Sequence, residues 1–137
     1  MDYICAIVAG EEDAVVVDET GETIAFAPLE PVSEGHLPVI PEAHHENSFD
    51  IPEPILRAVM KHAKSIAEEL HADDFDGVNL LHASGRVARQ SVPRFHIHLA
   101  PRRSTDDLDL WPESTFEESE SPTYLNIRTT LEDGESL

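Results

Sequence analysis

The chain has 137 residues, 40% of them hydrophobic, and a formal net charge of −19 from 28 acidic against nine basic residues. That length and apolar fraction suit one globular domain with a real core. The charge argues against a general nucleic-acid or anionic-membrane binder, because the mean field repels both. Lys61 and Lys64 are the only lysines, and carboxylate-rich, lysine-poor surfaces of this kind are common in halophilic cytoplasm. Cys5 is the only cysteine, so no intrachain disulfide forms and a reduced cytoplasm is compatible. No basic n-region precedes an apolar run, and no apolar run approaches ~18 residues, so neither a signal peptide nor a membrane span is expected.

In chain order, Met1 to Ala9 is mixed apolar and is expected to hold a short helix. Ala14–Val17 and Thr23–Ala27 flank the turn Asp18-Glu19-Thr20-Gly21-Glu22 and read as an antiparallel hairpin. His36 to Ile40 forms a third strand, which Pro38 should confine to an edge or a bulge. Asp50, Pro52 and Glu53 carry helix-start signals of cap, first-turn proline and capping-box glutamate. Ile55, Val59, Ala63, Ile66 and Leu70 then make one apolar helical stripe ending near His71. His62 and His71 are expected to face solvent. Val78–Leu81 is a fourth strand, and Ala83–Gln90 is a loop containing Gly85. Residues 104–137 carry ten acidic residues and one basic residue, Arg128, with scattered Trp111, Phe116, Tyr124 and Leu125. They read as an acidic extension that docks its aromatic residues and frays after about Leu131.

The chemistry concentrates in Gln90 to Arg103. Alternation from Arg94 to Leu99 predicts a strand with Phe95, Ile97 and Leu99 facing a core. Arg94, His96 and His98 then share the opposite face, neighbours about 6–7 Å apart. Pro101 is expected to close the strand. Five arginines and no acidic residue lie between Arg86 and Arg103. A local cationic zone in so acidic a chain suggests an anionic ligand, since arginine forks match phosphate or carboxylate. The plainer alternative is that these arginines pair with surface carboxylates elsewhere.

Four segments in order carry a family resemblance over roughly residues 3–103. They are Ile24-Ala25-Phe26 with Pro31-Val32-Ser33-Glu34-Gly35-His36; Val39-Ile40-Pro41 with His44; Gly77-Val78-Asn79-Leu80-Leu81 with Gly85; and Gln90-Ser91-Val92-Pro93 through Pro101-Arg102. The chain resembles the histidine triad (HIT) family of nucleotide hydrolases and transferases. The resemblance implies an α+β fold for a domain over 1–103, with 104–137 as an extension packed on it. The fold would have a five-stranded antiparallel sheet, one long helix and a short N-terminal helix, the sheet continuing across a homodimer. It implies attack of a histidine on the α-phosphate of a nucleotide ester, anhydride or phosphoramidate, and a nucleotidyl-histidine that water cleaves. By the same resemblance His96 is the nucleophile, His98 contacts the phosphate and His36 supports the site. Gln90 and Ser91 match positions contacting phosphate or leaving group, and Ile4, Ile7, Phe26 and Leu29 fall where the family lines its base pocket. His44, or else His45, is placed to reach the leaving group. The implied partners are a nucleotide or other phosphorylated small molecule and a second copy of the chain, with no nucleic acid and no membrane. No cofactor or metal is called for.

Departures from the family pattern matter as well. Its first triad histidine is Arg94, its ribose-binding acidic residue is Pro28, an asparagine is Ala83, and a glycine before the glutamine is Arg89. Arg94 as a permanent cation beside His96 would keep that ring neutral and could hold phosphate. Alternatively it fills the pocket, and the protein is a catalytically degenerate nucleotide-binding or regulatory dimer.

Overall fold

The structure is a computed structural model describing residues 15–110 and 122–134. The expected N-terminal helix, Ile4 and Ile7, Trp111 and Phe116 lie outside the described residues. The chain divides into two compact units, Met1–Asp107 and Leu108–Leu137.

The first unit is α+β. Its strands are β1 (Val16–Glu19), β2 (Thr23–Phe26), β3 (Leu37–Pro41), β4 (Gly77–Leu81) and β5 (Ile97–Arg102), with helix α1 (Glu53–Asp73) between β3 and β4. They form one antiparallel sheet in the order β1-β2-β3-β5-β4. The hairpin forms as its turn chemistry predicts, with a bulge between Val16 and Asp18 on the edge strand β1.

One sheet face and the helix stripe make the core. Ala25, Leu37, Val39, Phe95, Ile97 and Leu99 pack with Val59 and Ala63, flanked by Ile51, Leu56, Ile66 and Val78. Alternation sends His98 and Ala100 to the other side of β5. Gly35 permits the entry into β3: its φ of +85° suits glycine, and a Cβ there would meet Pro101 Cγ at 3.2 Å.

Several local expectations are corrected. Pro38 sits on an interior strand, not an edge. Ladder pairing of β2 with β3 stops at Val39, so the missing donor of Pro38 lies beyond it. Pro101 does not close β5, which continues through Arg102 with Pro101 opposite Val78. The helix is capped by Pro52 with no side-chain cap bond. Asp50 instead turns its carboxylate back to accept from the N–H groups of Glu46 and Asn47.

His62 is the larger miss, because it is buried while His71 is exposed. His62 Nδ1 lies 2.7 Å from Thr23 Oγ1 and Nε2 lies 2.8 Å from Asp18 Oδ2. Asp18 accepts from Nε2–H, so Thr23 donates to Nδ1, and the ring ties α1 to both strands of the hairpin.

The second unit holds α2 (Pro122–Gly134). Where the composition suggested an irregular segment frayed after Leu131, a helix begins with Pro122 in its first position and runs on to Gly134. None of its residues is buried, and Tyr124, Leu125, Ile127 and Leu131 are exposed.

The His62 network predicts a stability cost. His62→Ala should lower unfolding free energy by about 1–3 kcal/mol through the lost buried hydrogen bonds. His71→Ala should stay within about 0.5 kcal/mol. Urea unfolding, read as a shift in midpoint at constant slope, checks both.

Candidate active site

A cleft of about 220 Å³ opens on the non-helix side of the sheet, lined by Phe26, Pro28, Leu29, Pro38, Ser91, Val92, His96 and His98. Larger grooves of about 460 and 600 Å³ lie along α1, lined chiefly by Asp18, the turn after β1, Lys61, His62 and the C-terminal half of the helix. Of these three, the smallest cleft gathers the His-x-His residues.

Two histidine assignments follow from partners whose direction is unambiguous. Val32 N–H donates to His36 Nδ1 at 3.1 Å, so the proton of His36 sits on Nε2. That Nε2–H donates to His98 Nδ1 at 2.8 Å, so neutral His98 carries its own proton on Nε2. His96 Nδ1 lies 2.6 Å from the carbonyl oxygen of Arg94, which can only accept. Neutral His96 therefore keeps an unprotonated Nε2. The His96 and His98 ring centroids are 4.6 Å apart at 85°, an edge-on arrangement.

Burial disfavours the imidazolium form in all three rings. It pushes His98 down to about 4, with the charges His96, His36 and His82 would carry adding to the effect. His36 is lowered by burial and then by His96. His96 is lowered chiefly by burial, against the opposing bond to the Arg94 carbonyl, with His82 adding to the lowering.

Arg94 does not share the face of His96. The regular strand begins only at Ile97, and the Arg94 side chain is buried, 2% exposed. Its guanidinium donates to the carbonyls of Pro41 at 2.9 Å and Glu42 at 2.7 Å. The residue reaches His96 through its carbonyl.

Other expected site residues sort by position. Phe26, Leu29 and Ser91 line the cleft with His96 and His98, while His36 stands behind His98. Gln90 is a loop staple: its Oε1 accepts from Gly85 N–H, and its Nε2 donates to the carbonyls of Glu46 and Val92. His45 contributes a carbonyl that accepts from Phe95 N–H, and neither it nor His44 lines the cleft. Among the described residues, no group of three His, Cys, Asp or Glu side chains could hold a metal ion.

Two contributors went unpredicted. Pro38 lines the cleft because it pairs with His98 across β3 and β5, and that register has no local sequence signal. His82 Nδ1–H donates to the His96 carbonyl at 2.9 Å, and Ser84 Oγ–H donates to His82 Nε2 at 2.6 Å. The His82 ring also rests on Phe95, with centroids 4.6 Å apart. Its position three residues before Gly85, at the end of β4, was the available clue.

The cationic zone divides. Arg102 pairs with Asp106 and bonds Asn79, and Arg103 pairs with Glu34 and Asp74 while lying over the Phe75 ring. Both arginines therefore follow the plainer expectation of carboxylate pairing.

A family model of the HIT domain matches residues 9–105. The chain is 37% identical over 106 residues to a HIT-like protein of Methanocaldococcus jannaschii, spanning 77% of this chain and 82% of that one. It is 34% identical over 99 residues to the adenosine 5′-monophosphoramidase of Saccharomyces cerevisiae, across 72% of this chain and 61% of that enzyme. A crystal structure of a HIT family member from Bacillus subtilis matches with a TM-score of 0.85 at 27% identity, covering 96% of this chain and 94% of the other. The chain belongs to the HIT domain family.

The lowered histidine pKa values set an acid-side dependence. The unfolded chain binds protons at His98 near 6.5 and the folded chain only near 4, so stability from this group is present above about 6.5 and lost as pH falls toward about 4. His98→Gln should therefore lose less stability than the parent between pH 7 and pH 5 in paired denaturant titrations.

Proposed function

We propose that the protein is a nucleotide hydrolase or nucleotidyl transferase acting at an α-phosphate through His96. The observation that carries this reading is the bond from His96 Nδ1–H to the Arg94 carbonyl, which leaves Nε2 as a lone-pair nucleophile. In the first step Nε2 bonds to phosphorus, and the bond from phosphorus to the leaving group breaks with its electron pair going to that group. In the second, water attacks phosphorus, the N–P bond breaks, its electron pair returns to Nε2, and one proton of the water is released. His98 Nε2–H and the Ser91 hydroxyl serve as donors to the phosphoryl oxygens, which this chemistry needs more than strong acids. Phe26 and Leu29, with Ile4 and Ile7, would hold the base. The name of the yeast relative, an adenosine 5′-monophosphoramidase, supports a nucleoside phosphoramidate among the substrates.

Arg94 serves this site as a positioning residue. Its guanidinium holds the Pro41–Glu42 backbone and its carbonyl holds the nucleophile. The degenerate alternative asked for an arginine filling the cleft, and the Arg94 side chain is not part of the cleft lining.

The cytoplasm of a halophile is the setting that fits the charge and the single cysteine. Among the described residues, no helix is long and apolar enough to cross a membrane.

The decisive measurement is His96→Asn. Turnover of nucleoside phosphoramidates and dinucleoside polyphosphates should fall at least about 10³-fold with the melting temperature retained. Parent-like activity in a folded variant would refute the assignment.

The site is proposed to work within a symmetric homodimer that continues the sheet through β4. Strand β4 is an edge of the sheet, and Leu80 on it is 42% exposed. Light scattering at micromolar concentration in high salt should give twice the chain mass; a monomer mass would contradict the dimer.

A further inference from the structure

The loop between β4 and β5 carries two arginines that the α-phosphate chemistry does not use. Arg86 and Arg89 sit at either end of a 3-10 turn, Arg86–Ala88, and both are exposed. Among the described residues, neither has a carboxylate within ion-pair distance. That is notable where acidic side chains outnumber basic ones by 28 to nine. Arg57, Lys64, Arg102 and Arg103 in the same unit are paired with carboxylates, and Arg94 is bonded to backbone carbonyls. Among the described lysines and arginines of that unit, Lys61, on the helix beside a different groove, is the other one without a carboxylate partner.

The loop is fixed rather than loose. Gly85 N–H donates to Gln90 Oε1 at 2.8 Å, Gln90 N–H donates to Gly85 O at 3.1 Å, and Arg89 N–H donates to Arg86 O at 2.9 Å. Arg89 adopts φ 73°, ψ 30°, a left-handed conformation uncommon for a residue with a side chain. A local backbone cost is thus accepted where glycine would avoid it, and what is kept is a guanidinium. Gln90 then leads directly into Ser91, which lines the cleft with His96 and His98. Two exposed cations are consequently held on the loop that enters the cleft, Arg89 two residues before the cleft residue Ser91.

We propose that Arg86 and Arg89 form an anion clamp for the leaving group, selecting phosphoanhydride substrates in which that group is itself a phosphate chain. The inference rests on the α-phosphate reading above and narrows its substrate class. When His96 Nε2 bonds to the α-phosphorus, the P–O bridge breaks and the bridging oxygen keeps the electron pair. The negative charge of the departing phosphate then meets two guanidiniums suited to its oxygens. The histidines agree with this choice. Burial favours the neutral form of all three rings, so none is an imidazolium poised to protonate a leaving group. A phosphate chain departs without a proton, whereas an amine must take one from water, so the clamp favours the phosphate chain among the leaving groups this chemistry accepts.

The test measures binding of diadenosine triphosphate and of AMP by calorimetry to the full chain carrying His96→Asn, which removes turnover. The same titrations are repeated with Arg86→Ala and Arg89→Gly added, singly and together; glycine suits the left-handed position. The paired replacements should weaken diadenosine triphosphate by about tenfold or more and leave AMP within about twofold. Each single replacement should move the same way, and Arg86→Lys with Arg89→Lys should recover part of the loss. Equal weakening of both ligands, no weakening, or no measurable binding of diadenosine triphosphate before the arginines are changed would overturn the clamp. Turnover by the unmodified chain judges the underlying reading separately. Absence of hydrolysis of every phosphoramidate and polyphosphate would end the catalytic reading, while the calorimetric comparison would still decide the clamp.

Discussion

The placement of protons at the site depends on backbone groups that cannot change role. Val32 N–H can only donate, so it fixes the acceptor nitrogen of His36 and, through that ring, the proton of His98. The Arg94 carbonyl can only accept, so it fixes the proton of His96 on Nδ1. His96 and His98 thereby present opposite chemistry, an acceptor Nε2 on one neutral ring and a donor Nε2–H on the other. A pair of free imidazoles in water would exchange tautomers and lose that distinction. Burial reinforces the arrangement by opposing the doubly protonated form of either ring.

That arrangement requires β3 beside β5. Register pairs Leu37 with Leu99 and Pro38 with His98, which brings His36, just before β3, within reach of His98. The same register places Leu37, Val39, Ile97 and Leu99 together against Val59 and Ala63 of the helix. Burial of the apolar face specifies the register, because a slip of one residue would turn that whole set outward. Core packing and active-site geometry are therefore one constraint seen from two sides of the sheet. On the far side, His82, just past β4, donates to the carbonyl of His96, so that end of β4 also helps to hold His96.

Periodicity made much of this legible in the sequence. Phe95, Ile97 and Leu99 are buried as alternation requires, and the helix follows its apolar stripe. What periodicity could not show was where a strand begins. Extending the alternation back to Arg94 put its side chain on the histidine face, whereas the strand starts at Ile97 and the guanidinium packs against the Pro41–Glu42 backbone. Partners distant in sequence were equally hidden. His62 is three residues beyond Val59 and beside Ala63, so its position already lay on the buried stripe. Its acceptor Asp18 and donor Thr23 come from a hairpin about 40 residues earlier, so residue type alone suggested solvent. Pro38, expected at an edge or bulge, and Pro101, expected to end its strand, both lie inside the sheet because each missing N–H falls where its ladder has ended or turned to the other neighbour.

Charge shows why composition and contacts must be read together. A five-arginine segment in a chain of net charge −19 suggests one anion site, yet its members do three different things. Arg94 is a buried backbone clamp, Arg102 and Arg103 are bound to carboxylates near the sheet end, and Arg86 and Arg89 stay exposed without an acidic partner among the described residues. An arginine already engaged by a carboxylate must give up that bond to take a phosphate, so the paired members contribute little net attraction. An exposed arginine on a hydrogen-bonded loop gives up only water. In a field of 28 carboxylates, the capacity to receive an anion is therefore set by where carboxylates are kept away. That condition is met on the loop leading into Ser91, which lines the cleft with His96 and His98.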